Sequence, residues 1–364
     1  MAGISEQDKT EYQAELLSNR LTKRYKHLKK WAARTGVLCY RLYDKDIPEI
    51  PIAVDIYEEE PSTDGEKGRS FVRVALYERP YEKPESEEKE WLRSMTAAIS
   101  RTLGIQEDSI ITKVRKRQSG DSQYEKDSGK TLSFITKEQG LRFRVNLSDY
   151  IDTGLFFDHR PLRQKVREQA SGKRVLNLYC YTGAFSVYAA AANASQVDSV
   201  DLSGKYLAWA EENMRLNGFT DKSRFRFIES DVTTFLERAA AERRGKHGKD
   251  GSVHDSPSEN GSKPGYDIIV LDPPTFSNSK KTETMLDINR DWPSLTGLCT
   301  ELLSENGVLY FSTNSRKLSF DEEKIPAGFT SKDISKSTIP EDFRNERIHR
   351  VWQIQRAADV TPRS

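Results

Sequence analysis

The sequence predicts an α/β protein in which a smaller α+β domain precedes a doubly wound, mostly parallel sheet. Two observations support this fold class. After residue 150, short apolar runs alternate with segments of helical periodicity, as strands and helices alternate in such sheets. One apolar run, residues 268–271, ends at Asp272-Pro273-Pro274. Because each proline fixes φ and lacks an amide donor, a strand must stop there and leave Asp272 at the carboxyl edge, where open α/β sheets bind ligands.

Length and composition favour a soluble protein of two domains. The chain has 364 residues, 31% of them charged, with a formal net charge of +1. No stretch reaches the roughly 18 apolar residues of a membrane span, and the N-terminus lacks a signal-peptide pattern. The three cysteines are widely spaced, without the clustering of disulfide frameworks or metal ligands. We therefore expect a cytoplasmic protein that binds neither membrane nor metal; the oligomeric state is not specified.

The first domain, residues 1–150, is expected to begin with a helix over residues 6–34, where apolar residues recur at helical spacing without Gly or Pro. Strand-like runs over 37–43, 52–57 and 71–76 follow, then a helix over 87–103 and strand pairs at 110–117 and 132–147. Basic residues cluster at three places: Arg20, Lys23, Arg24, Lys26, Lys29, Lys30 and Arg34; Lys113, Arg115, Lys116 and Arg117; Arg344, Arg347 and Arg350. Such clusters either contact nucleic-acid phosphates or are simply solvated.

The second domain, residues 151–364, contains the alternating pattern. Strands are predicted at 174–179, 196–202, 225–229, 267–271, 307–313 and 350–356. Helices are predicted at 184–194, 205–217, 233–244, 292–303 and near 340–344. Residues 244–265 are rich in Gly, Ser, Lys, Asp and Pro, a composition that predicts a mobile surface insertion.

The loop after the first of these strands predicts a cofactor site. It reads Tyr179-Cys180-Tyr181-Thr182-Gly183 and carries a single glycine. A dinucleotide site needs Gly-x-Gly-x-x-Gly to cradle a pyrophosphate. The loop therefore disfavours NAD and FAD, and suits a nucleoside cofactor without a phosphate, such as S-adenosylmethionine (SAM).

Acidic residues end three of the predicted strands. Asp201 follows the second strand, where one carboxylate can accept hydrogen bonds from both hydroxyls of a ribose. Asp231 follows the third, where it can accept from an adenine amino group, and Asp272 follows the fourth. For Asp201 and Asp231 the alternative interpretation is a plain helix N-cap.

Four motifs resemble one known family. They are residues 152–160 (DTGLFFDHR), 176–183 (LNLYCYTG), 272–280 (DPPTFSNSK) and 342–349 (DFRNERIH) with Trp352. They are similar to the ribosomal RNA large-subunit methyltransferases K, often the C-terminal, guanine-N7 half of fused K/L enzymes. The resemblance is close over about residues 150–356 and weaker before that. It implies a Rossmann-like class I methyltransferase domain with a seven-stranded sheet, SAM as cofactor, and transfer of methyl to guanine N7 of 23S rRNA or of a large-subunit precursor.

Carried over residue by residue, the resemblance implies the site. The cofactor-binding set is Phe156, Asp158, Arg160, Asn177, Tyr179, Tyr181, Thr182, Gly183, Asp201, Leu202, Ser230, Asp231 and Asp272. The catalytic set, which would face methyl donor and acceptor, is Asp272, Pro273, Pro274 and Phe276. This chain departs from the fused pattern in having no second methyltransferase half, so we expect any such partner activity to reside elsewhere; the insertion at 244–265 is a second departure.

The residue chemistry agrees with methylation at N7. Methylation at cytosine C5 needs a cysteine nucleophile, yet the fifth strand ends in Ser312-Thr313-Asn314-Ser315, without sulfur. Guanine N7 carries a lone pair and no proton, so in-line displacement needs neither a covalent intermediate nor a general base. Phe276, Phe156 and Asn314 are candidates for orienting the base.

Three alternatives compete with this hypothesis. The nearest is methylation of an exocyclic guanine amine (N2) or another rRNA base position; enzymes of that kind usually place an aromatic residue directly after Pro-Pro, where this chain has Thr275. A nicotinamide-dependent oxidoreductase is disfavoured by the missing loop glycines. A non-enzymatic RNA-binding module is disfavoured by the acids at 201, 231 and 272, which packing does not require.

Overall fold

The structure, a computed structural model, describes residues 5–63, 66–79, 81, 83–115, 131–245, 265–277 and 285–357. Its contacts divide the chain into two compact units. The first comprises Met1–Phe157 together with Pro340–Asn345, and the second comprises Asp158–Ile339 together with Glu346–Ser364. The sequence analysis placed one boundary at 150/151 and did not anticipate the return of the chain to the first unit. Most of the expected insertion, residues 246–264, lies outside the described residues.

The first unit is an α+β assembly. Its elements are α1 (Glu6–Thr35), β1 (Cys39–Asp44), β2 (Ile52–Glu58), β3 (Ser70–Tyr77), α2 (Glu85–Leu103), β4 (Ile110–Arg115), β5 (Ser133–Glu138) and β6 (Leu141–Asn146). The sheet order is β1-β2-β3-β4, with β1 to β3 antiparallel and β4 parallel to β3; β5 and β6 form an antiparallel pair.

Helix α1 begins and ends where its sequence dictates. Ser5 and Asp8 form a capping box that satisfies amides of the first turn, and Gly36 ends the helix at φ 64°. Its inner face buries Leu17 and Leu21 completely. Gln13 accepts a hydrogen bond of 2.6 Å from the Trp91 indole of α2, which pairs the two helices through a buried polar contact.

The second unit carries the alternating pattern. Its elements are α3 (Arg160–Gln169), β7 (Arg174–Leu178), α4 (Ala184–Ala191), β8 (Gln196–Asp201), α5 (Gly204–Leu216), β9 (Phe225–Glu229), α6 (Val232–Arg243), β10 (Tyr266–Leu271), β11 (Phe276–Ser277), β12 (Leu286–Asp287), α7 (Ile288–Leu302), β13 (Leu303–Thr313), β14 (Phe329–Asp333) and β15 (Arg350–Arg356).

Seven of these strands form one sheet in the order β14-β15-β13-β10-β7-β8-β9. The five from β13 to β9 are parallel, and β15 is antiparallel to both of its neighbours. The helices pack in two groups, α3 with α4 and α5, and α6 with α7. This confirms the predicted fold class. The strand order reverses at β7, between β8 and β10, so the carboxyl ends of these strands form the switch point at which such sheets bind ligands.

Two expectations about elements need correction. The helix predicted near 340–344 is wrong, because the segment forms a turn. In the first unit its Asp342 accepts the Arg41 amide at 2.9 Å. Strand β14 was not predicted, because its residues are polar and partly exposed, as suits the edge of a sheet. None of the helices in the described ranges combines the length and apolar character needed to cross a membrane.

Candidate functional site

The loop after β7 adopts an unusual backbone. Tyr179, Tyr181 and Gly183 all have positive φ, at 54°, 51° and 71°. For a tyrosine this conformation costs on the order of 1 kcal/mol or more, and such strain concentrates at functional sites. Two contacts hold Tyr181: its amide donates to Asp201 Oδ2 at 3.0 Å, and its ring packs edge-on against Tyr206. The side chain of Tyr179 is largely buried, which raises the pKa of its hydroxyl.

Gly183 is required by packing as well as by backbone geometry. A Cβ at this position would lie 2.7 Å from the Cβ of Ala210 in α5. The absence of a side chain at Gly183 thus admits α5 against the start of α4, and its predicted place in the cofactor site stays a prediction. The single glycine of the loop is thereby explained without a pyrophosphate.

Asp201 is oriented by backbone amides. Its Oδ2 accepts from Tyr181 and its Oδ1 accepts from Ser203 at 2.9 Å. Burial raises the pKa of Asp201, and these backbone hydrogen bonds oppose the rise. Each carboxylate oxygen can accept more than one hydrogen bond. The two oxygens of Asp201 can therefore still accept hydrogen bonds from two hydroxyl groups.

Asp231 is a helix N-cap, the alternative interpretation that the sequence allowed. Its Oδ1 accepts the Thr234 amide at 2.9 Å and so caps α6. Ser230 donates its hydroxyl to the Asp231 carbonyl at 3.0 Å. Leu202, beside Asp201, is half-buried. An adenine contact for Asp231 therefore stays a prediction, compatible with a carboxylate that has a second oxygen.

Asn177 and Thr182 lie inside the fold. Asn177 is 1% exposed and donates to Ser186 Oγ at 2.9 Å, and Ser186 shares a hydrogen bond of 2.7 Å with Ser199. The Thr182 carbonyl accepts from the Asn213 side chain at 2.9 Å. These bonds fasten the cofactor loop to β8, α4 and α5.

Asp272 stands at the end of β10 with polar neighbours on both oxygens. The Ser312 hydroxyl of β13 donates to Oδ1, and His159 Nε2 lies 3.3 Å from Oδ2. The Asp272 side chain is 26% exposed. Beyond it Pro273 is buried and Pro274 is exposed, while the Phe276 ring is 57% exposed. The Asp272 carboxylate thus has a contact at each oxygen, and an exposed aromatic ring follows four residues later in the chain.

Two histidines that the sequence analysis missed complete this site. His159 and His349 stack almost parallel, with ring centroids 4.7 Å apart and planes at 6°. His349 Nδ1 contacts Asp158 Oδ2 at 3.3 Å, which brings Asp158 into the same cluster as Asp272. No spacing signal could have joined positions so far apart in the sequence.

Asp158, His159 and His349 offer ligand atoms within 4.8 Å of one another, close enough to suggest a metal ion. The ring geometry opposes it. An imidazole lone pair lies in the ring plane, and these two planes are parallel and offset, so one ion cannot lie in both.

Two predicted site residues remain, Arg160 and Phe156. Arg160 is 2% exposed at the start of α3. Phe156 is 42% exposed and belongs to the first unit.

No cysteine in the described ranges is placed for nucleophilic attack. Cys39, Cys180 and Cys299 are all buried. Burial raises the pKa of the Cys180 and Cys299 thiols, which keeps them protonated and inert. The end of β13 offers Ser312 and Thr313 instead of a thiol.

The donor and acceptor set at this edge fits SAM. Asp201 is an oriented acceptor of the kind that a diol would need, and Asp272 is a carboxylate of the kind that a sulfonium cation would need; the loop over residues 179–183 carries one glycine rather than a phosphate-binding set. The site offers negative charge and backbone polarity, the complement of a cationic nucleoside.

Comparison with known proteins agrees. A family model described as S-adenosylmethionine-dependent methyltransferase matches residues 66–322. Ribosomal RNA large subunit methyltransferase K of Neisseria meningitidis is 41% identical over 338 residues, 93% of this chain and 86% of that protein. The methyltransferase K/L of Pseudomonas putida is 41% identical over 94% of this chain, which spans only 42% of that longer protein.

Among solved structures, a protein assigned as a methyltransferase, complexed with S-adenosylhomocysteine, superposes with a TM-score of 0.67 at 22% identity, over 94% of this chain and 81% of that one. At that identity the likeness supports the fold. The family match and the relatives at 41% identity show the rest: this chain belongs to the S-adenosylmethionine-dependent methyltransferases that include ribosomal RNA large subunit methyltransferase K, and its cofactor is SAM.

Proposed function

We propose that this protein transfers a methyl group from SAM to N7 of a guanine in 23S rRNA or in a large-subunit precursor. The observation that carries the rRNA substrate is the 41% identity with methyltransferase K over most of both chains. The N7 position rests on the chemistry of the site.

The reaction moves positive charge. When bound, the cofactor supplies a methyl group activated by a sulfonium; the S–C bond breaks as the N7–C bond forms, and the positive charge passes to the purine ring. A carboxylate held at the point of transfer stabilises that charge without having to reorient. Asp272, with Ser312 and His159 against its two oxygens, meets this requirement.

The surroundings of Asp272 suit an acceptor that loses no proton. His159 is the neighbouring base, but burial lowers its pKa, and its Nδ1 is buried without a partner among the described residues. With the ring proton on Nε2, a further proton would have to bind Nδ1, and no hydrogen bond of that nitrogen leads it onward among the described residues. N7 of guanine needs no such route, whereas an exocyclic amine must release a proton.

The target base would be held mainly by stacking. A base inside folded RNA must be extruded before an enzyme can reach it, and stacking on an aromatic ring contributes about 1–3 kcal/mol. Phe276 presents a ring that is 57% exposed. Thr275 donates its hydroxyl to Asn314 Oδ1 at 2.6 Å, which ties the loop that carries Phe276 to the residue after β13.

The decisive experiment maps 7-methylguanosine in 23S rRNA from cells with and without the gene, by reduction and aniline cleavage together with mass spectrometry. We expect one 7-methylguanosine to disappear and to return on complementation with the wild-type gene but not with Asp272→Ala. The purified protein with tritiated SAM and unmodified 23S rRNA should restore the same site. Loss of N2-methylguanosine instead, with 7-methylguanosine unchanged, would assign the alternative.

Helix α1 supplies a surface for the RNA backbone. Of its seven clustered basic residues, Arg20 lies 3.6 Å from Asp46 and Arg24 donates to the Asp342 carbonyl at 2.9 Å, so both hold the first unit together. The exposed residues Lys23, Lys26, Lys30 and Arg34 follow one another at intervals of three or four. At that spacing they share one face of the helix. We call these four residues the α1 stripe.

Replacing the α1 stripe with glutamine should weaken RNA binding and flatten its salt dependence. Each lost phosphate contact reduces the slope of log K against log salt by about 0.7–0.9. Binding to a 23S rRNA fragment measured between low and moderate salt checks this. The matched control replaces four exposed basic residues of the second unit, Lys173, Lys205, Arg215 and Lys222. Equal slopes for both variants would make the stripe a solvated surface.

A further inference from the structure

We infer that His159 is a positioning residue for Asp272: its Nε2–H lies against the carboxylate at the end of β10, and His349 fixes the ring that carries it. The inference rests on the proposed role of Asp272 in methyl transfer. Both histidines lie in motifs that resemble the family, residues 152–160 and 342–349, but neither is among the site residues that the resemblance implies.

Asp272 has one contact at each of its carboxylate oxygens. Ser312, fully buried in β13, donates to Oδ1, and His159 Nε2 lies 3.3 Å from Oδ2. The Ser312 hydroxyl and the His159 ring thus lie against different oxygens of the carboxylate and come from two different elements. The Asp272 side chain is also 26% exposed, so it is open to the charge that the proposed transfer would develop.

The proton of His159 has one favourable place. Burial lowers the pKa of His159, so the ring is neutral and carries a single N–H. Nδ1 is buried without a partner among the described residues. A proton on Nδ1 would be unpaired and would turn the Nε2 lone pair toward a carboxylate oxygen, which repels it. A proton on Nε2 faces two carboxylates, with Asp272 Oδ2 3.3 Å and Asp158 Oδ2 3.9 Å from the nitrogen.

Packing alone does not explain a histidine here. A buried polar atom without a partner costs about 1–3 kcal/mol, and an apolar side chain of similar volume would avoid that cost. The ring is 7% exposed, against Phe185 at a centroid distance of 5.9 Å and against His349 at 4.7 Å. A polar ring retained among such neighbours indicates a use for its other nitrogen.

His349 is held at both of its nitrogens. His349 Nε2 shares a hydrogen bond of 3.0 Å with the Thr338 hydroxyl. Nδ1 contacts Asp158 at 3.3 Å. A ring anchored at both ends cannot swing, and the parallel stack passes that constraint to His159.

The test compares His159→Leu with His159→Gln. Glutamine can place an amide N–H close to the position of Nε2, whereas leucine fills the volume without a donor. Misplacement of a reacting group by about 1 Å can cost roughly 10²-fold. We therefore expect kcat to fall about 30- to 100-fold in the leucine variant and less than about 5-fold in the glutamine variant. The SAM dissociation constant should stay within about 3-fold in both, and the melting temperature of the leucine variant should not fall.

Coupling to Asp272 is the sharper readout. In an Asp272→Asn background, His159→Leu should change kcat by less than about 2-fold, because residues that act as a unit are not additive. Independent losses that multiply would overturn the inference. So would equal losses in the leucine and glutamine variants that follow a lowered melting temperature, since a purely structural role predicts both.

A spectroscopic measurement separates this inference from the proposed function. The ¹⁵N shifts of the His159 ring in the free protein should report the Nε2–H tautomer, and Asp272→Ala should move the Nε2 resonance. An Nδ1–H tautomer, or an unmoved resonance, overturns the positioning role whatever the substrate. Failure of the wild-type protein to methylate 23S rRNA, with the expected shifts observed, removes the proposed substrate and leaves the His159–Asp272 contact standing.

Discussion

Asp272→Ala is expected to lower the rate of methyl transfer by about 10²–10³-fold, the usual effect of removing one oriented group that stabilises transition-state charge. SAM affinity and RNA affinity should each change by less than about 10-fold, since Asp272 is one of several contacts to either. Single-turnover transfer from tritiated SAM measures the rate, while calorimetry and filter binding measure the two affinities.

Asp272→Asn is the matched control. The amide has the same size and one oxygen that can accept from Ser312 or His159, but it lacks the negative charge. A loss as large as that of the alanine variant assigns the effect to charge, and a small loss assigns it to position. A wild-type rate in the alanine variant would remove Asp272 from the mechanism. RNA binding without methyl transfer in the wild-type protein would point to a binding module.

Asp201→Ala is expected to weaken SAM binding by one to two orders of magnitude, about 1.4–2.8 kcal/mol at 1.4 kcal/mol per decade. The substitution removes an acceptor for the cofactor hydroxyls, and it also frees the Tyr181 amide that holds the loop after β7. Isothermal calorimetry measures the change.

A matched control exists in the same unit. Asp221 Oδ1 accepts the Ser223 amide at 2.9 Å, as Asp201 Oδ1 accepts the Ser203 amide at 2.9 Å, but Asp221 lies in the turn before β9. Asp221→Ala should leave the SAM dissociation constant unchanged. Equal affinities in wild type and Asp201→Ala would remove Asp201 from the ribose role.

The pH dependence of stability gives a further check on Asp201. Its folded pKa is raised by burial, so the stability that its protonated form contributes is present at low pH and is lost as pH rises through the folded pKa. At neutral pH the fold therefore carries the cost of an ionised buried carboxylate. Urea titrations should show Asp201→Ala losing more stability, relative to wild type, at pH 4 than at pH 7.

The sequence could predict those parts of the fold that depend on local patterns. The strands β8, β9 and β10 and the acids at or just after their ends, Asp201, Asp231 and Asp272, lie where expected, because periodicity and proline chemistry act within a few residues. The seventh strand of the sheet, β14, and the cluster around His159 depend on residues distant in the chain. Both His159 and His349 lie in motifs that resemble the family, but nothing local to either histidine indicates that the two rings meet, and only the folded sheet stacks them.

Packing adds a reason that local patterns do not contain. Gly183 was found from the sequence, but its close approach to Ala210 of α5 involves a residue 27 positions away. The helix expected near 340–344 was wrong: this segment belongs to the first unit, where Asp342 accepts the Arg41 amide. Patterns locate special residues better than they explain them.

The return of Pro340–Asn345 to the first unit limits how the protein can be dissected. Asp342 is 1% exposed there; it accepts the Arg41 amide, and its carbonyl accepts from Arg24. A fragment starting at Asp158 would carry Pro340–Asn345 without Arg41 and Arg24, the residues that donate hydrogen bonds to Asp342. A fragment ending at Phe157 would lack Asp342, so the Arg41 amide would lose this acceptor. Neither unit is a single continuous stretch of the chain, so a separately expressed catalytic fragment would need a short linker in place of residues 340–345.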